Sequence, residues 1–234
     1  MPIFRIPRTL TFPPPHLAEP SGLLGVGGDL GPERLLLGYR SGIFPWYSEG
    51  QPVLWWSPDP RMVLYPDRLT IPRSLAKTLR QGRFTLTLDQ AFSAVIAGCA
   101  ESPRRGQAGT WLTPALRDGL EALFAAGYAH SCEAWRDGEL VGGLYGVAVG
   151  RFFSGESMFA RAPDASKVAF VHWMRQLTRW GYPLVDCQVH TEHLARFGAE
   201  EIPRADYLAA LPDLVNAPGR PGHWSFDADF HWDL

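Results

Sequence analysis

The sequence predicts an α+β fold, a small N-terminal domain followed by a mixed-sheet domain. Three observations predict it. The first 64 residues are punctuated by proline and glycine, which breaks long regular elements. Asp137-Gly138 is a hairpin signal between two strand-like runs, His130–Arg136 and Glu139–Val149. A single long amphipathic stretch, Asp164 to Trp180, carries Val168, Val171, Met174 and Leu177 on one stripe and stands between a third strand, Phe152–Phe159, and a fourth, Pro183–Val189. A hairpin, a third strand, a helix and a further strand make a sheet in which a helix connects neighbouring strands.

Each element has a local reason. Residues 1–64 form the small domain, rich in Pro, Gly and Trp, and residues 65–234 the second. Within the first, Pro32 stands where a helical turn opens, and Glu33 to Tyr39 carries a leucine-rich face. The segment SGIFPWYSEGQPVLWWSPDPRMVLY follows. Its Pro45, Pro52, Pro58 and Pro60 keep it irregular or hairpin-like, as suits a lid or platform. Ser74–Arg80 is a short helix, and Arg73, Lys77 and Arg80 share one of its faces. Phe84–Leu88, FTLTL, alternates as a strand, and Gln90–Ala100 is helical. Thr113 caps a helix that Pro114 opens and that runs through Ala126. The pair Gly142-Gly143 marks a bulge in the second strand of the hairpin. Asp164 is an N-cap residue for the long helix, and Gly181 ends it. Helices over His193–Phe197 and Arg204–Leu214 complete the order. The tail GHWSFDADFHWDL is aromatic and acidic.

Composition narrows the function classes. The chain has 234 residues, 46% hydrophobic and 20% charged, with a formal net charge of −2. No global positive field advertises a nucleic acid, yet Arg61, Arg68, Arg73, Lys77, Arg80 and Arg83 face only Asp67 between residues 61 and 83. Three separated cysteines, Cys99, Cys132 and Cys187, form neither a disulfide framework nor a zinc site. The N-terminus lacks a signal-peptide pattern and no run of about 18 apolar residues occurs, so a cytoplasmic protein with no membrane partner is expected. His190 and His193 have i,i+3 spacing without a completing cluster, GESMF is not a nucleophile elbow, and GVGG has no preceding strand to make it a dinucleotide fingerprint. No metal and no cofactor are expected.

The run VDCQVH, residues 185–190, ends an apolar stretch with a carboxylate, a thiol and an amide. Strand alternation over Leu184–Val189 puts Asp186 and Gln188 on one face and Cys187 on the other.

Five strings occur in order: GGDLGPERLLLGYRSGIFPWYSEGQPVLWWSPDPRMVL, GTWLTP, DGELVGGLYGVAVGRFFSGESMF, DASKVAF and DCQVHTEHLARFGAEEIPR. Together they closely resemble the leucyl/phenylalanyl-tRNA–protein transferase family, from about Gly22 to Leu208. The resemblance implies a small N-terminal domain and a GCN5-related N-acetyltransferase-like domain. It implies transfer of Leu or Phe, less readily Met, from aminoacyl-tRNA to the N-terminal Arg or Lys of a protein, which marks the product for degradation by the N-end rule pathway. Leu-tRNA, Phe-tRNA and such proteins are then the partners, and a monomer is expected. An acyl-CoA-dependent N-acyltransferase is the neighbouring reading; SGESMFARAPDASK lacks the Gly-rich pyrophosphate turn that it needs before the long helix. A non-catalytic tRNA- or peptide-binding module is the reading from another class.

Peptide aminolysis of a tRNA ester needs amine and carbonyl held together, an ammonium proton removed and an oxyanion stabilised. Gln188 is expected to orient the amine through its side-chain carbonyl, while Asp186 either holds Gln188 or accepts the proton. The resemblance carries catalytic roles onto both. Glu156 is expected to engage the basic acceptor. Tyr145, Phe153, Met158 and Val185 are candidates for an apolar aminoacyl pocket, with Met adaptable in shape. Trp46 in FPW and Trp111 in GTW match family positions that hold the terminal adenosine, with Trp55 and Trp56 offering further aromatic faces or core. Arg73, Lys77 and Arg80 are expected to meet tRNA phosphates.

Overall fold

The computed structural model describes residues 3–102 and 110–231. Gly109 of GTWLTP, the first two residues of the first expected domain and the last three of the second lie outside them.

The first part contains β1 (Phe4–Ile6), β2 (Leu23–Gly27), α1 (Pro32–Arg40), β3 (Phe44–Pro45), β4 (Leu54–Trp56) and β5 (Arg61–Leu64). There follow α2 (Arg73–Arg80), β6 (Thr85–Leu88), α3 (Phe92–Glu101), α4 (Pro114–Ala125), β7 (Ala129–Arg136), β8 (Glu139–Val149), β9 (Phe152–Ala160), α5 (Ala165–Arg179), β10 (Leu184–Gln188), α6 (Glu192–Ala195), β11 (Glu200–Ile202) and α7 (Arg204–Asn216). The fold is α+β with two mixed sheets. A four-stranded sheet has the order β1-β2-β4-β3, and a seven-stranded sheet the order β11-β5-β10-β9-β8-β7-β6.

The expected hairpin and its successors form the centre. β7, β8 and β9 run antiparallel in sequence, and α5 carries the chain across so that β10 lies parallel to β9. A parallel neighbour needs such a crossover, because no tight turn can make one. β5 closes the first 64 residues in sequence, but it pairs antiparallel with both β10 and β11 inside the larger sheet.

Helices cover both faces of that sheet, and every residue of β8 from Val141 to Val149 is buried. A strand covered on both sides loses its polar face. On one side α5 packs Val168, Val171, Trp173, Met174 and Leu177 against Val141, Leu144 and Phe153. On the other, α3 and α4 share one continuous core with the N-terminal elements, including Leu35, Tyr39, Ile43 and Trp55.

Thr113 caps α4 as expected, its hydroxyl accepting from the Leu116 amide. Asp164 stands at the N-cap of α5 as expected, but its side chain makes no capping hydrogen bond. It has φ 64°, and its carboxylate instead accepts from Lys167 Nζ at 2.8 Å and Thr78 Oγ1 at 3.2 Å. The bulge expected at Gly142-Gly143 falls one residue earlier: Trp135 pairs with Leu140 and Ala134 with Gly142, so Val141 is the extra residue. Gly142 serves close packing, since a Cβ there would lie 2.6 Å from that of Ala165.

Candidate active site

Two further register steps shape the site. Along β8 and β9, Tyr145 pairs with Ser157 and Gly146 with Gly155, which leaves Glu156 as an extra residue. Along β10 and β5, Asp186 pairs with Val63 and Gln188 with Met62, which leaves Cys187 extra. Bulges re-aim side chains, and here both fall beside one cavity of about 360 Å³.

That cavity gathers most of the expected residues. Trp46, following β3, and Trp111, preceding α4, both line it. So do Tyr145 of β8, Phe153 and Met158 of β9, and Val185 of β10. Phe170 and Met174 of α5 add to the apolar wall, and Glu156 and Gln188 supply polar groups. Trp56 steadies the Trp46 segment: its Nε1 donates to the Trp46 carbonyl at 2.7 Å, and the two rings lie 5.8 Å apart. Trp55 does not serve as an exposed aromatic face. It is fully buried, with Nε1 donating to the Gly27 carbonyl.

The expected alternation in VDCQVH is overturned by the second bulge. Gln188 has φ +64°, a left-handed conformation that costs a non-glycine residue about 1–3 kcal/mol. Cys187 therefore lines the cavity beside Gln188, while Asp186 is 1% exposed and lies behind the lining. Burial pushes the Cys187 thiol far up, so it carries no thiolate reactivity.

Asp186 is saturated. Arg61 donates to it from Nε at 2.8 Å and from Nη2 at 2.6 Å. The Tyr207 hydroxyl donates at 3.0 Å, and the Gln188 amide at 2.9 Å. The last bond is an Asx-type turn, and it sets the backbone from which the Gln188 side chain projects. Arg61 was expected to add to the basic surface. It is instead 1% exposed, donates Nη1 to the Gly42 carbonyl, and lies 4.9 Å and 4.6 Å from the Phe44 and Tyr207 ring centres. An arginine directly before the apolar run Met62-Val63-Leu64 was the available signal for a buried, paired charge.

Glu156 differs from Asp186. Gln188 Nε2 donates to its Oε1 at 2.7 Å, and Ser154 Oγ donates to the same atom at 3.1 Å. Burial pushes its carboxyl up to about 7; bonds from Ser154 and Tyr39 oppose the shift, the Asp186 charge adds to it and Arg61 opposes it. Gly146 makes the bulge possible, because a Cβ there would lie 2.3 Å from the Ser154 carbonyl oxygen and 2.4 Å from Phe153.

Arg73, Lys77 and Arg80 are exposed on α2, whose Leu75 and Leu79 are buried. None of the three is ion-paired among the described residues. The tail, left without a role by its composition, is a strap: Trp224 stacks on His130 at 3.6 Å and lies 6.1 Å from Phe153. Asp227 then accepts from Gln176 and Trp180. No cluster of three or more His, Cys, Asp or Glu that would hold a metal occurs among the described residues, and no helix there is long and apolar enough to cross a membrane.

A mixed sheet with a crossover helix, and an apolar cavity ending in a carboxylate–amide pair, are the parts of an acyl-transfer enzyme. Comparison with known proteins gives the family. Residues 63–212 match the leucyl/phenylalanyl-tRNA protein transferase model, and residues 28–59 match the model of that family's N-terminal domain. A leucyl/phenylalanyl-tRNA–protein transferase of Anaeromyxobacter sp. (strain Fw109-5) is 58% identical over 228 residues, 97% of each chain. One from Thiobacillus denitrificans is 58% identical over 219 residues, 93% of this chain and 96% of the relative. Among solved structures, a GCN5-related N-acetyltransferase from Kribbella flavida matches with TM-score 0.40 and 12% identity, over 71% of this chain and 59% of its own. The chain belongs to the leucyl/phenylalanyl-tRNA–protein transferase family, and is thus an aminoacyl-tRNA-dependent aminoacyltransferase.

Proposed function

We propose that this enzyme transfers Leu or Phe, and less readily Met, from aminoacyl-tRNA to the N-terminal Arg or Lys of acceptor proteins, as a monomer in the cytoplasm, marking them for N-end rule degradation. One observation carries the reading: a single cavity holds two tryptophans, an apolar wall and a carboxylate–amide pair. Trp46 and Trp111 stack the terminal adenosine, each worth about 1–3 kcal/mol. Tyr145, Phe153, Met158 and Val185 enclose the aminoacyl side chain. Glu156 engages the acceptor terminus, and Gln188 orients the amine through its carbonyl, which accepts no hydrogen bond from the described protein residues. Asp186 holds Gln188 from behind instead of meeting substrate. Arg73, Lys77 and Arg80 meet phosphates of the acceptor stem. We take residues 1–64 as the small domain and 65–234 as the catalytic one.

The test mixes the protein with labelled Leu-tRNA and an Arg-starting peptide, with labelled acetyl-CoA as control. Label should reach the peptide from Leu-tRNA alone. Transfer from acetyl-CoA, or tRNA binding without transfer, overturns the reading.

A further inference from the structure

We propose that Glu156 is the base that takes the proton from the acceptor's α-ammonium, with Gln188 as its positioning partner and Asp186 held out of proton transfer by Arg61. The inference rests on the transferase reading above and deepens it.

Two carboxylates lie near the reacting end of the cavity, and their surroundings separate them. Asp186 is behind the lining and receives four hydrogen bonds, two from a guanidinium. A carboxylate filled in this way and set behind the lining presents no open oxygen to an amine in the cavity. Glu156 lines the cavity, receives bonds from neutral Gln188 and Ser154 beside the neutral Tyr39 hydroxyl, and forms no ion pair among the described residues. The groups that face it are Asp186 on β10, Arg61 on β5, Tyr39 on α1 and Ser154 on its own strand. Desolvation dominates, and its carboxyl rests at about 7. An α-ammonium has an ordinary value of about 7.7–8.0, so donor and acceptor are matched to roughly one unit, which is where general-base transfer is efficient.

The other titratable groups on the lining fit less well. Burial pushes the Cys187 thiol far above neutrality. His193 also lines the cavity, but its Nε2 is buried without a hydrogen-bond partner among the described residues, and burial lowers the imidazole's affinity for a proton.

The step balances without a further reagent. Glu156 removes one proton from the ammonium. The neutral nitrogen attacks the ester carbonyl carbon, forming the C–N bond. As the tetrahedral adduct collapses, the C–O bond to the ribose 3′ oxygen breaks, and the second nitrogen proton goes to that oxygen. Glu156 then releases its proton to solvent.

The test measures the single-turnover rate at saturating Leu-tRNA and Arg-starting peptide from about pH 5.5 to 9. The wild type should show a rate rising through a limb near 7. Glu156→Gln should lose that limb, fall about 10²–10⁴-fold at neutral pH, and recover in part as the amine itself deprotonates. Retained Leu-tRNA binding shows that the variant is folded; should it fail, Glu156→Asp is used, and it should keep the limb at a reduced rate. An unchanged limb in Glu156→Gln with only a raised KM for peptide overturns the proposal. So does an undiminished rate in Glu156→Asp, or a limb that vanishes in His193→Gln. No transfer from Leu-tRNA by the wild type at any pH would sink the transferase reading itself, a result distinct from all of these.

Discussion

Arg61 grips Asp186 with two hydrogen bonds, of 2.8 and 2.6 Å, where both side chains are 1% exposed. Two charges so far from water are stable only as a pair. The pair ties β5 to β10, and through the Gly42 carbonyl it also reaches the segment carrying Phe44 and Trp46.

Asp186→Ala should therefore destabilise the fold by about 3–5 kcal/mol, because it strands the Arg61 charge. Gln188→Ala should leave stability within about 1 kcal/mol while turnover falls. Replacing both partners, Arg61→Met with Asp186→Leu, should recover much of the lost stability. Urea midpoints check all three. Equal losses for Asp186→Ala and Gln188→Ala would contradict the division of labour.

Glu156 should make the wild type less stable in alkali. Its carboxyl stands at about 7 in the folded chain against an ordinary value of 4.5, so the folded state binds more protons between those values. The resulting stabilisation is fully present below about 4.5 and is lost as pH rises through about 7. Glu156→Gln removes the burial of an ionised carboxylate. It should melt higher than the wild type at pH 8, by an amount equivalent to about 3 kcal/mol, and the gap should close toward pH 5. Thermal melts at the two pH values read this directly; a gap independent of pH would contradict it.

The two classes of tRNA contact should separate by salt. Trp46→Ala and Trp111→Ala should each weaken Leu-tRNA binding by about 1–3 kcal/mol with the salt slope unchanged. Alanine at Arg73, Lys77 or Arg80 should lower the slope of log K against log salt by about 1 each. Titrations at several salt concentrations distinguish them, and equal slopes for all five variants would remove α2 from the interface.

Gly146→Ala should push Phe153 and the Ser154 carbonyl apart, costing about 1–3 kcal/mol as overpacking. Because Phe153 lines the cavity, KM for aminoacyl-tRNA should rise as well. Melting temperature and KM together check it.

The central sheet was legible because its signals are local: a hairpin dipeptide, a helical stripe and strand-length runs. α4 was legible from Thr113 and Pro114 alone. Of the apolar residues on the cavity, Phe153 and Met158 were legible from their closeness in sequence to Glu156, and Tyr145 and Val185 from their places on neighbouring strands. Alternation failed at Asp186 because a bulge depends on the partner strand, and nothing in VDCQVH announces β5 as its neighbour. Arg61 was misread for the same reason, since its burial follows from pairing with a residue far away in the chain. The N-cap position of Asp164 was legible, but the partners of its carboxylate were not: it is occupied by Lys167 and Thr78, the second of them on another helix.

β5 has one more consequence. It follows the strands of the small sheet in sequence yet is an inner strand of the large one, so the chain has no natural cutting point just after it. A fragment beginning at residue 65 would expose β10 as an open edge and leave Asp186 without its cation. Supplied separately, residues 1–64 would restore both by strand complementation. Two inactive halves would then regain activity only on mixing, with a concentration dependence that reports how tightly one strand is gripped.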